Sequence, residues 1–190
     1  MKTKFPFDEL NVLEEYLKRL TSSKGQSLKE NSGVFNADDI DDVIEDLLIL
    51  AYQDGVSAVS EMLGFDIEPD VAHAKESVFK PIAGKTFEQR VSEYASSGTV
   101  ADIMRVAETE AHRVYNEAAM NAAKKAGAKT KTWVTMMDEK VRDTHDYLEN
   151  MTVSIDEPFF TYDGDSAQHP GGFISPENNI NCRCELLFSR

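Results

Sequence analysis

Only two cysteines occur in the 190 residues, Cys182 and Cys184, and a single residue separates them. This excludes a disulfide framework, and a bridge between the two would close a small, strained ring, so reduced thiols are expected. Basic residues are also scarce: 20 Lys and Arg stand against 34 Asp and Glu, a net charge of −14. Such a balance repels a phosphate backbone, whose partners draw affinity from Lys and Arg displacing counterions, so strong nucleic-acid binding by the isolated chain is not expected. The one basic cluster, Lys124, Lys125, Lys129 and Lys131, reads as a solvated helix end. No apolar run reaches the length of a membrane span, and the opening MKTKFPFDELNVLEEY has no secretory leader, which points to a soluble chain made in the cytoplasm. A nucleophile elbow, a phosphate loop and paired carboxylates at a catalytic spacing are likewise absent.

What the sequence does have is helical periodicity in its first half. Leu10, Leu13, Leu17 and Leu20 predict a first helix, followed by a polar loop. From Asn36 to Leu63, Ile40, Val43, Ile44, Leu47, Leu48 and Ala51 share one face of a long amphipathic helix, relaxed at Gly55. Its first turns carry Asp38, Asp39, Asp41, Asp42 and Glu45, where the helix dipole favours acids. Residues 1–70 hold 16 acidic and 6 basic residues, so the acidity belongs to the front of the chain. A calcium loop is excluded there, since the glycine at its sixth position and its terminal glutamate are missing. Gly64, Pro69, Pro81 and Gly84 mark a connector with one short helix, after which Thr86 caps a helix through Tyr94. Thr99 then caps the most regular helix, closed at Gly127, with Ile103, Val106, Ala107, Ala111, Val114 and Ala118 buried and Arg105, Glu108, His112 and Asn116 mainly elsewhere.

After Gly127 the texture changes to short strands, turns and long loops. KTKTWVTM alternates as a strand does, and Asp138 caps a short helix to about Glu149. On that helix Asp138, Arg142, His145 and Glu149 fall along one face. In the terminal stretch Ile180, Cys182, Cys184, Leu186 and Phe188 face one way, a good core face without any metal, since cysteine behaves as a small hydrophobe. The same residues open a second reading: His145, Cys182 and Cys184 supply three zinc ligands, with Asp138, His112 or His169 as a fourth. A single C-x-C with one distant histidine is a weak signature beside paired C-x-x-C motifs, so no cofactor is the primary expectation. His145 beside Glu110 or Asp138 also suits general acid or base work, which keeps a metal-dependent hydrolase or nuclease-like module as the alternative function. Asp163 and Asp165 suit a turn.

Three ordered segments, AETEAHRVYNEAA (107–119), KTWVTMMDEKVRDTHDYLEN (131–150) and QHPGGFISPENNINCRCEL (168–186), resemble the C-terminal domain of the phage Mu F-type head morphogenesis family of minor capsid proteins. The matching residues are Thr109, Glu110, Arg113 and Asn116, then Lys131 and Trp133, then Asp138, Arg142 and His145, and finally Asn181, Cys182, Arg183 and Cys184. The family's usual glycine after the histidine segment is Asn150 here, a residue that also tolerates the left-handed conformation. The family's acidic residue behind Pro170 and Gly171 is missing, which removes the support for an ion-binding role of that loop. The resemblance implies a non-enzymatic component of a phage or prophage head, in the capsid interior or at the portal vertex, assembled in the host cytoplasm. It further implies that Arg113, Arg142 and Asp138 pair as internal struts and that Trp133 packs helix against strand.

The expected architecture is therefore α+β: an acidic helical region and connector over residues 1–85, then a head-morphogenesis-type domain over 86–190 with short strands, a short helix and long loops. The expected function is capsid assembly through the portal or another head protein, with a role in DNA packaging or delivery. The acidic residues Asp38, Asp39, Asp41, Asp42 and Glu45 are the candidate partner-binding set.

Overall fold

A computed structural model describes residues 37–82, 84–87, 89–90 and 100–190, with 37–44, 71 and 100 described by backbone alone. The predicted helix over residues 10–20, the Thr99 cap and the end of the helix that Thr86 opens lie outside the described residues. Helix α1 spans Ala37–Leu63, α2 Val71–Phe79 and α3 Val100–Lys125. The remainder is built from β1 (Thr130–Val134), the one-turn α4 (Asp143–Asp146), β2 (Thr152–Ser154), β3 (Phe159–Phe160), β4 (Ser166–Ala167), the one-turn α5 (Pro176–Asn179) and β5 (Glu185–Ser189). This is the α+β organisation the periodicity indicated.

Helix α1 packs along α3, and small residues let the two approach closely. Leu48 and Ala51 of α1 and Ile103, Ala107, Ala111, Val114 and Ala118 of α3 are fully enclosed. Gly55 does not relax α1. A Cβ there would sit 2.3 Å from the Tyr115 carbonyl oxygen, so glycine is needed for the helix crossing. The sequence placed His112 and Asn116 away from the buried face of α3, yet both are buried, at 5% and 0% exposure. The reason is that α3 is covered on one side by α1 and on another by the C-terminal segment, so a single apolar stripe does not describe it.

Helix α3 ends at Lys125, Gly127 turns the chain at a φ of 77°, and the chain enters a three-stranded antiparallel sheet of order β2-β1-β5. The register sets Lys131 opposite Phe188 and Trp133 opposite Leu186, so these four side chains share the inner face. Lys131 is thus no part of a solvated helix end: it is buried, its Nζ donating to the Gln168 carbonyl at 2.8 Å and to Gln168 Oε1 at 2.6 Å. The outer face is polar, with Thr132 and Thr152 hydroxyls 2.7 Å apart. Strands β3 and β4 form a separate two-stranded ribbon. No described helix is long and apolar enough to cross a membrane.

Two local expectations fail. The helix from Asp138 to Glu149 is only the single turn Asp143–Asp146, flanked by turns, because Met137 adopts a positive φ of 52° and Asp138 closes its own turn with the Lys140 amide. The terminal strand begins at Glu185, although the inward alternation persists through Cys182 and Cys184; Ile180 is 42% exposed and off that face. Asn150 does take the left-handed conformation, at φ 60°. Glycine costs roughly 1 kcal/mol relative to alanine inside a helix, so Gly55→Ala would stabilise an isolated α1. Here it is expected to destabilise the protein, lowering the denaturation midpoint in urea, because the added methyl meets backbone.

Candidate functional site

Two polar stripes of α3 organise the site. Along the first, Glu110, Arg113 and Glu117 follow at spacings of three and four and therefore stack. Arg113, 3% exposed, donates from Nε to Glu110 Oε2 at 3.0 Å, from Nη1 to Glu117 Oε2 at 2.7 Å and from Nη2 to the Ser77 carbonyl at 2.8 Å. Arg90 and Lys80 complete the ring, 2.9 Å from Glu110 and 3.2 Å from Glu117. Burial works to raise Glu117, but Arg113, with smaller help from His169, Lys80 and Ser77, holds it below the usual carboxylate range. Gly171, at φ 82°, lies on this arginine's backbone: a Cβ there would come within 2.9 Å of the Arg113 Cα.

The second stripe, Thr109, His112 and Asn116, grips the terminal segment. The Asn181 amide donates to Thr109 Oγ1 at 3.4 Å, and Asn116 Nδ2 donates to the Cys184 carbonyl at 3.3 Å. Asn181 has a φ of 56°, which turns the chain from α5 into the cysteine segment. From the other side, Arg142 donates through Nη1 and Nη2 to the carbonyls of Glu177 and Ile180. Arg113, Arg142 and Asp138 do not pair with one another as expected, and the Asp138 pair is exposed. Asp138 pairs with Arg183, at 2.6 and 2.7 Å, because Arg183 points outward between two inward cysteines. That clamp pulls Asp138 down to about 2.

Between these supports, His145 Nδ1 lies 3.6 Å from Cys182 Sγ and 3.4 Å from Cys184 Sγ. All three residues are buried, and their three donor atoms lie within 4.8 Å of one another. The imidazole is stacked on Phe173 at 5.3 Å and meets the edge of Trp133 at 5.3 Å, while Trp133 also packs on Phe159 and Phe173. Trp133, on β1, thus packs against the histidine of α4. Burial opposes ionisation of Cys182, yet hydrogen bonding from Cys184 and His145 outweighs it and lowers this thiol; its neighbour's sulfur and burial push Cys184 up. Of the other proposed ligands, Asp138 is taken up by Arg183, His169 is turned to the Pro170 carbonyl at 3.0 Å, and His112 is not within this cluster.

Residues 75–187 match the family model described as Phage Mu protein F like protein. The chain belongs to this family. Among curated proteins, the minor head protein GP7 of Bacillus phage SPP1 is 30% identical over 93 residues, which is 47% of this chain and 30% of that protein. An NAD(+)–arginine ADP-ribosyltransferase, EFV, of Enterococcus faecalis is 36% identical over 88 residues, 44% of this chain and 18% of that protein. The matches therefore span less than a third of either relative. No solved structure gives a significant match.

Within this Mu F-like unit, the sequence reading missed Glu117 and Phe173 and gave Asp165 only a turn role. Asp165 accepts from the amides of Ser166 (2.8 Å), Ser175 (3.1 Å) and Ile174 (3.3 Å) and from Asn178 Nδ2 (3.1 Å). Burial works against its charge, but these donors lower it, so it is a loop hub rather than a simple turn residue. The only signal was its place in a turn-rich run.

Removing one partner of a buried charge cluster costs about 3–5 kcal/mol, and a surface pair is worth about 0–1. Arg113→Ala is therefore expected to lower the melting temperature most, Arg142→Ala less, and Lys125→Ala, whose 3.8 Å pair with Asp70 is exposed, least. The pH dependence has a definite sign. Burial lowers His169 from 6.5 to about 4 and lowers His112 as well. Between pH 6.5 and about 4 the unfolded chain binds more protons, so stability falls as pH falls through that window. His169→Gln is expected to flatten this acid slope in thermal melts.

Proposed function

We propose that the chain is a minor head protein acting in capsid assembly, that it docks on the portal or another head component, and that it serves DNA packaging or delivery from the capsid interior or portal vertex. The observation that carries this reading is the family match over residues 75–187, joined by the likeness to a relative named as a minor head protein. A net charge of −14 supports a protein partner, since an acidic surface is repelled by packaged DNA and complements a basic groove. Asp38, Asp39, Asp41, Asp42 and Glu45, in the first turns of α1, are the docking residues in this proposal.

The chemistry of the site favours a structural over a catalytic role. A general base must reach its substrate, and His145 is 1% exposed with its Nδ1 between two sulfurs. The transferase named among the relatives does not alter this, because most of that enzyme lies outside the match.

Co-expression with the portal protein of the same phage or prophage, followed by size-exclusion chromatography with light scattering, tests the assignment. Co-elution at a defined ratio is expected, weakened when Asp38, Asp39, Asp41 and Asp42 are changed to Asn. Deleting the front of the chain is a poorer test, since it removes core residues of α1. No association at low or physiological salt would refute portal docking.

A further inference from the structure

We infer that His145, Cys182 and Cys184 form a structural site for a thiophilic divalent cation, zinc above all. They are the one convergent group of three metal-ligating side chains found among the described residues, and all three are buried. Zinc takes sulfur at about 2.3 Å and imidazole nitrogen at about 2.0–2.1 Å, and a tetrahedral angle between them sets nitrogen and sulfur about 3.5 Å apart. The Nδ1 atom stands 3.6 and 3.4 Å from the two sulfurs. Nδ1 has a single in-plane position, for one proton or one lone pair, so one strong bond to one sulfur is all it can make. Two sulfurs at nearly equal distances are what a shared central ion requires.

The ring is preorganised for that task. Phe173 stacks on it and Trp133 meets it edge-on, so its orientation is fixed before any ion arrives. Its Nε2 is buried and makes no hydrogen bond in the described structure. The cysteines are fixed equally well: Asn116 holds the Cys184 carbonyl, and the Cys182 amide donates to the Asn179 carbonyl at 3.1 Å.

A cavity of ≈ 10 Å³ is lined by His145, Cys182 and Cys184 and also by Lys140, Arg142 and Arg183. Its volume is room for about one water molecule, which supplies the fourth ligand. Two thiolates and one divalent ion sum to zero charge, so the cationic rim is compatible with the filled site. A substrate has no room there, which makes the site structural. Its effect is to tie α4 to the approach of β5 and so close the loops between residues 145 and 182. Binding releases the thiol protons, so it weakens in acid.

The test uses the full chain, reduced and freed of metal, titrated with cobalt(II) and then zinc. One equivalent of cobalt is expected to give a thiolate-to-metal charge-transfer band with tetrahedral d–d absorption, which zinc then abolishes. The band is expected to be lost in Cys182→Ser, Cys184→Ser and His145→Gln and kept in Asp138→Asn. Because those three variants risk not folding, wild-type protein carries a second measurement: zinc is expected to protect both thiols from a thiol reagent and raise the melting temperature, and a chelator to reverse both. A folded wild-type chain that shows neither the cobalt band nor zinc protection overturns the site. A band lost in Asp138→Asn overturns the assignment of water to the fourth position.

Discussion

The rest of this structure depends on keeping one guanidinium, that of Arg113, charged inside the protein. Moving such a group out of water costs several kcal/mol unless protein acceptors replace the water, and here each of its three nitrogens finds an oxygen acceptor. Those acceptors come from α3 itself and from α2, and the Gly171 turn lies directly on the arginine's backbone. Satisfying this charge therefore ties α3 to α2, and the close Gly171 contact adds a third segment at the same residue. The Pro170–Gly171 turn is in turn what brings Phe173 against the His145 ring.

Helix α3 accommodates this because its faces perform different tasks. The alanine-rich face meets Gly55 of α1 at backbone contact distance and gains apolar burial and dispersion from that fit. The two polar stripes make hydrogen bonds to segments far away in the chain, at Ser77, Asn181 and Cys184. A helix with three occupied faces has no free apolar stripe. That is why a one-stripe reading misplaced His112 and Asn116.

The legible part of the molecule was the part governed by local rules. The C-terminal limits of α1 and α3 followed from Gly64 and Gly127 and the strand at Trp133 from alternation, while the left-handed Asn150 followed from the family resemblance, in which glycine is usual there. The convergence of His145 with Cys182 and Cys184 was readable as one arrangement among several, because ligand type and spacing are sequence properties. Partner choice was not. Asp138 with Arg183 rather than Arg142 or Arg113 is decided by how the chain returns after a long loop, and no local spacing encodes it. The same holds for Lys131, whose burial depends on a glutamine carbonyl from the far end of that loop.

The region after Gly127 has strands of two to five residues and helices of one turn, so backbone ladders satisfy few of its polar groups. Regular secondary structure cannot hold loops of this kind, and buried polar groups without partners are costly. The sequence answers with side chains that act as hubs: Asp165 collects four donors, Lys131 binds Gln168, and Arg142 caps the carbonyls that precede the cysteines. Each hub fixes one loop to another without lengthening a strand. In the metal site we propose, a histidine and two cysteines converging where α4 meets the approach to β5 would extend the same principle from hydrogen bonds to ligation. In a unit this small the burial of apolar surface is limited, and directional cross-links make up the difference.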